Sequence, residues 1–90
     1  MDRQEVEKKY HSQGLMTKYV KDEPNKIHEP DRDIQMTFYT LGGSVKVKIE
    51  DGDWQELHSG DELVIEDGQL HEAVAGPDGW EYIVAWASNS

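Results

Sequence analysis

Residues 60–71 read Gly60-Asp61-Glu62-Leu63-Val64-Ile65-Glu66-Asp67-Gly68-Gln69-Leu70-His71. The stretch divides into a tight turn, a short apolar strand, a second tight turn and a histidine that opens the next strand. Gly60 and Gly68 supply the backbone freedom that turns need, and Asp61 and Asp67 are turn-formers beside them. Leu63, Val64 and Ile65 form the strand between. His71 is thereby delivered at a fixed offset from two turns, on a strand that continues Glu72-Ala73-Val74-Ala75.

Outward from this stretch, the chain from Gln35 onward alternates short apolar runs with turn residues. The runs are 35–41, 44–50, 54–57, 62–65, 70–75 and 80–87. Gly42-Gly43, Asp51-Gly52-Asp53, Ser59-Gly60, Asp67-Gly68 and Gly76-Pro77-Asp78-Gly79 punctuate them. Turn signals at this regular spacing predict an all-β sandwich or barrel. Val45, Val47 and Ile49 alternate with Lys46, Lys48 and Glu50, so the apolar set faces a core. Trp80, Tyr82, Val84 and Trp86 share one face of the last strand, opposite Glu81, Ile83 and Ala85. That aromatic face is too large to leave in water. Upstream, residues 2–13 predict a helix, with Asp2 and Glu5 as a capping pair and Gly14 placed to stop it. Its apolar content is slight, Val6 and Tyr10, which places it on the surface or against a partner subunit. A strand is expected over 15–21. The charged stretch 21–33, with Pro24 and Pro30, reads as irregular.

The stretch 60–71 resembles the second signature of the cupin superfamily, the small jelly-roll barrels. That signature runs Gly, five residues, Pro, any residue, Gly, two residues, His, three residues, Asn. Here Gly60, Gly68 and His71 match in type and spacing, while Glu66 stands for the Pro and Ala75 for the Asn. Tyr39-Thr40-Leu41-Gly42-Gly43-Ser44-Val45 is similar to the end of the first cupin signature. The resemblance covers residues 24 to 87 and implies a cupin-type jelly-roll barrel over 15–90, preceded by the helix of 1–14.

The resemblance also implies a metal held inside the barrel by imidazoles and one carboxylate, and here the sequence departs from it. With Gly43 as the closing glycine of the first signature, the carboxylate position falls on Met36. The His-x-His pair falls on Glu29 and Asp31, on Pro30 and Arg32, or, after a slip of two, on Asp31 and Asp33. His28 is the one imidazole nearby and is out of register. A substitute set of His71, His28, Asp31 and Asp33 is chemically conceivable for Fe, Mn, Ni or Zn. The expectation is nevertheless no cofactor: a barrel in which His71 hydrogen-bonds within a pocket, because a ligand list this incomplete rarely holds a metal. The pocket is expected to involve His71, Met36, Phe38, Ala73 and Tyr82. His71, Ala73 and Ala75 should share the inward face of their strand, with Leu63 and Ile65 inward on the preceding one.

Composition bounds the partners. Ninety residues allow one core, and a chain of this size buries only about 60–68% of its unfolded surface. With an apolar fraction of 36%, a shared homodimeric core is expected. Nineteen acids against nine bases give a charge of −10, which excludes nucleic-acid binding through phosphates and an anionic membrane surface. The absence of cysteine removes disulfides, thiolate metal sites and thiol nucleophiles. The charged start, MDRQEVEKKY, is neither a signal peptide nor a membrane span, so the cytoplasm is the expected compartment. His58 is expected to be exposed, His11 ends the helix where its charge suits the dipole, and no serine sits in a nucleophile signature. Three functions follow: binding of a small organic molecule near His71, a metal-dependent oxygenase- or isomerase-type enzyme with altered ligands, or a dimeric interaction scaffold. Fold analogy does not choose among them.

Overall fold

Two long strands, each bent at glycines, carry the whole architecture. The computed structural model describes residues 1–88. In chain order the elements are α1 (Arg3–Ser12), β1 (Leu15–Asp22), β2 (Ile27–Arg32), β3 (Met36–Ile49), β4 (Gln55–His58), β5 (Glu62–Ile65) and β6 (Leu70–Ala87). All strand pairs are antiparallel. The first halves of β3 and the second half of β6 pair with each other and are flanked by β5 and β1. The second half of β3 and the first half of β6 pair likewise and are flanked by β4 and β2. The result is two four-stranded arms that share β3 and β6 and close over one apolar interior. This is an all-β barrel, as the turn spacing predicts, in the jelly-roll form that the cupin resemblance implies and with the expected short N-terminal helix.

The expected turns at Gly42-Gly43 and Gly76–Gly79 are corners within continuous strands, not chain reversals. The β3–β6 register shifts between Thr40 and Gly42 and again between Gly43 and Val45. Such bulges bend a strand and change which face its side chains occupy. Hence the core takes Phe38 but then Val45 and Val47 from β3, and Ala73 and Ala75 but then Trp80, Tyr82 and Val84 from β6. Gly43 adopts φ +69°, and a Cβ there would collide with the Gly79 carbonyl. Gly79 adopts φ +85°, and its Cβ would meet the Asp22 carbonyl oxygen at 2.7 Å. Turn residues mark these corners because the two backbones cross too closely for a side chain.

The stretch 21–33 contains a strand where irregular chain was expected. β2 pairs with the first half of β6, Ile27 opposite Val74 and Asp31 opposite His71, and the pairing shifts between His28 and Asp31. Pro30 falls in that shift on a strand with one partner, where a missing N–H is tolerated. Acids and prolines hid the strand because its outward side chains meet water: five of its six residues are exposed.

The helix starts and stops as the sequence implies. Asp2 caps it and exchanges hydrogen bonds with Glu5 as a capping box. Its position differs from expectation. Val6 and Tyr10 are 0% and 2% exposed, packed on Tyr39, Ile83 and Ala85 within the chain. The second face of β6 is thus covered by the chain's own helix. Trp80, Tyr82 and Val84 fill the barrel interior, and the Trp80 indole N–H donates to the buried Thr40 hydroxyl at 3.0 Å. β1 pairs along its whole length with β6 of its own chain. A single chain therefore buries both sides of its last strand. Among the described residues no helix is long and apolar enough to cross a membrane.

Candidate functional site

The second turn of the stretch 60–71 ends with Gln69, and His71 follows as the second residue of β6. Its Nδ1 lies 3.2 Å from the Gln69 carbonyl oxygen. A carbonyl only accepts, so Nδ1 carries a proton, and in the neutral ring Nε2 keeps its lone pair. Ala73 follows on the same face, and its small side chain leaves space beside the imidazole. From β3 come Phe38 and Val47, from β5 Ile65, and from the far half of β6 Trp80 and Tyr82. Together with His28 on β2 these side chains enclose a cavity of about 70 Å³ inside the barrel. That is room for about two waters at roughly 30 Å³ each. Its walls are largely apolar, with a tilted Phe38–Trp80 pair at 6.0 Å and Trp80 stacked on Tyr82 at 3.5 Å. A larger depression of about 490 Å³ over Lys46, Trp54, Gln55, Glu56 and Val74 lies open on the outside of the second arm. It holds no imidazole and no enclosing wall, so the barrel cavity is the candidate site.

His28 is the residue whose place the sequence obscured most. The structure sets it on the cavity wall, edge-on to Trp80 at 6.3 Å between ring centres. Its Nε2 lies 2.6 Å from Oδ2 of Asp22, the last residue of β1. The Asp22 side chain is 8% exposed and that of His28 37% exposed, so a buried carboxylate holds a half-exposed imidazole. A carboxylate accepts, so a proton of His28 sits on Nε2, and in the neutral ring Nδ1 is left as an acceptor. The Tyr82 hydroxyl also lies against Asp22. Burial first, and the Asp22 carboxylate second, push the Tyr82 phenol well above its ordinary range.

Of the residues expected in the pocket, His71, Phe38, Ala73 and Tyr82 line the cavity. Met36 does not: it sits opposite Ile65 at the start of β3 and packs half-buried against the edge of the core. Val47, Ile65, Trp80 and His28 complete the wall, and Asp22 stands behind His28. Asp31 lies opposite His71 in the register, but it is exposed and its Oδ1 takes the Arg32 N–H at 2.8 Å. Asp33 is exposed as well and takes the Ile34 N–H at 2.8 Å. Among the described residues no three His, Asp or Glu side chains gather into a metal-holding group. Among the described residues two imidazoles line the cavity, and no carboxylate joins them to complete the set expected of a cupin metal. The residues present do not fit that centre.

No family model matches the sequence, and no curated protein matches it. Solved structures do. KdgF from Halomonas sp. superposes with a TM-score of 0.68 at 25% identity, over 80% of this chain and 68% of that one. An RmlC-like cupin from Shewanella frigidimarina gives 0.70 at 22% identity, over 80% of this chain and 64% of that one. A point variant of oxalate decarboxylase from B. subtilis gives 0.75 at 22% identity, over 86% of this chain but only 22% of that one. The part shared with each is the barrel fold. The likeness is one of fold: the chain has the barrel fold of these cupin structures.

Proposed function

We propose that the protein binds a small organic molecule, or the head of a larger one, in the barrel cavity between His28 and His71. One observation supports this above the others: two imidazoles, each with one nitrogen held from outside, share an otherwise apolar cavity closed by aromatic rings. Binding sites pair apolar walls with a few convergent polar groups in this way. The volume limits the enclosed part to a few heavy atoms.

The metal-dependent reading draws on one feature. A nitrogen held by a carboxylate or a carbonyl is also how metal-bound histidines are oriented. Two imidazoles without a third ligand make a weak site, so no reaction is assigned through a metal. Element-resolved analysis after dialysis against a mild chelator is expected to find far less than one equivalent of Fe, Mn, Ni or Zn. A full retained equivalent would promote the enzyme reading. His71→Ala should weaken ligand binding or stability by about 1–3 kcal/mol, as for one buried hydrogen-bonding group. Were a metal the true occupant, the same change would release it outright.

A further inference from the structure

Asp22 lies outside the cavity wall, at the end of a strand whose other exposed residues face water. Yet its carboxylate is more than nine-tenths buried, and the groups that meet it, His28 and Tyr82, both belong to the wall. Its partner across the β1–β6 pairing is Trp80, a third wall residue. A buried carboxylate is costly and persists where its charge is satisfied. Here the donor within hydrogen-bond distance is His28 Nε2–H at 2.6 Å, with the Tyr82 phenol beside it, so the carboxylate's charge is seated directly behind the cavity.

The hydrogen-bond roles have a consequence for what the cavity accepts. With Nε2 of His28 donating to Asp22 and Nδ1 of His71 donating to the Gln69 carbonyl, each ring in its neutral form is left with a lone pair as its free polar feature. Neither free nitrogen is then a donor. Phe38, Trp80 and Tyr82 offer aromatic surface, which attracts cations and repels anions. The whole molecule carries a charge of −10, which raises the local concentration of cations and lowers that of anions.

We infer that the cavity selects the head of a small organic ammonium ion, with His28 and His71 accepting its N–H groups, the aromatic wall facing its charge and Asp22 serving as the positioning residue behind His28. This rests on the small-molecule reading above and narrows it to a ligand class. A carboxylate of similar size is disfavoured by the same features, since it would bring lone pairs to lone pairs and a negative charge towards Asp22.

The test uses four small probes of comparable bulk on the full chain: ethylammonium, ethanol, acetate and oxalate. Saturation-transfer NMR reports contact, and calorimetric titration reports affinity. Ethylammonium is expected to bind saturably and ethanol about tenfold more weakly, the scale of a desolvated cation–aromatic contact. Neither anion should compete. Asp22→Asn should cut ethylammonium affinity about tenfold and leave ethanol unchanged, which a merely structural role for Asp22 would not do. Because that variant alters a buried site, Tyr82→Phe serves as a second one: it keeps the carboxylate and should keep the preference for the cation over ethanol. Acetate or oxalate binding at least as well as ethylammonium would overturn the ligand class while leaving a small-molecule cavity in place. Loss of the preference in Tyr82→Phe but not in Asp22→Asn would also overturn it. Binding of none of the four probes would remove both this inference and the reading beneath it.

Discussion

Gly43 sits where β3 crosses the corner of β6, with no room for a methyl group and with a left-handed φ of +69°. Gly43→Ala combines an unfavourable backbone with a clash against main chain that cannot swing aside, so it should cost at least about 2 kcal/mol in chemical denaturation. A loss below a few tenths would mean that the two strands are not pinned there. The residue scale also shows what the sequence could and could not reveal about the site. His71 was legible because two glycine turns fix its offset and the turns form as written. His28 was legible as a residue but not as a cavity wall. Counting back from Gly43 assumes an unbroken register, and the shift between His28 and Asp31 breaks it. Met36 was misplaced by the same counting: the motif position exists, but its side chain ends beside the core rather than in the cavity. Asp22 gave no signal, since its link to His28 spans the turn between two strands and only three-dimensional pairing brings the two together.

At the scale of elements, α1 is clamped as well as packed. The Tyr10 hydroxyl donates to Glu62 at the start of β5, and the Lys9 ammonium pairs with the same carboxylate at 3.3 Å. The hydrogen bond from Tyr10 holds the Glu62 pKa below its ordinary 4.5, with Lys9 adding to the effect and partial burial opposing it. The unfolded chain therefore binds a proton at Glu62 at a higher pH than the folded chain does. This contribution to stability is complete above about pH 5 and is lost as pH falls through the lower folded-state value. Helix docking should weaken in that acid window, followed by the fluorescence of Tyr10 and its neighbours or by amide exchange in 3–12. Glu62→Gln should flatten the dependence there, and an unchanged acid slope would remove the clamp as its cause. Val6→Ala, at a fully buried contact, should cost about 2 kcal/mol. The helix itself was plain in the sequence from its cap and stop. Its docking was not, because two apolar residues four apart look meagre until Tyr39, Ile83 and Ala85 are seen to form a matching patch. β2 was missed for the converse reason: propensity reads prolines and acids as loop, while an outer strand carries them without harm.

On the scale of the whole molecule, two covered faces change where a second copy could sit. The apolar surplus that suggested a dimer is largely consumed within the chain by α1 and by the barrel interior. We keep a homodimer as a proposal and place it on the outer face of the second arm. Ile27 and Trp54 are 66% and 47% exposed there, and Lys46 and Glu56 stand opposite each other in the strand pairing. A two-fold copy would set unlike charges against each other around those apolar residues. Light scattering at micromolar protein and moderate salt should give twice the chain mass, and Ile27→Asp should halve it; a single-chain mass for the unaltered protein would end the proposal. The ligand reading does not depend on that outcome, and the molecule carries its own controls for it. Of its four histidines, His28 and His71 line the cavity while His11 and His58 lie exposed on the surface. The most direct measurement is therefore the side-chain nitrogen NMR of all four rings, with metal removed, during titration with ethylammonium. The expected result is that the His28 and His71 resonances move together and saturate while those of His11 and His58 stay in place. Uniform movement of all four, or none at His28 and His71, would contradict a binding cavity between the two imidazoles.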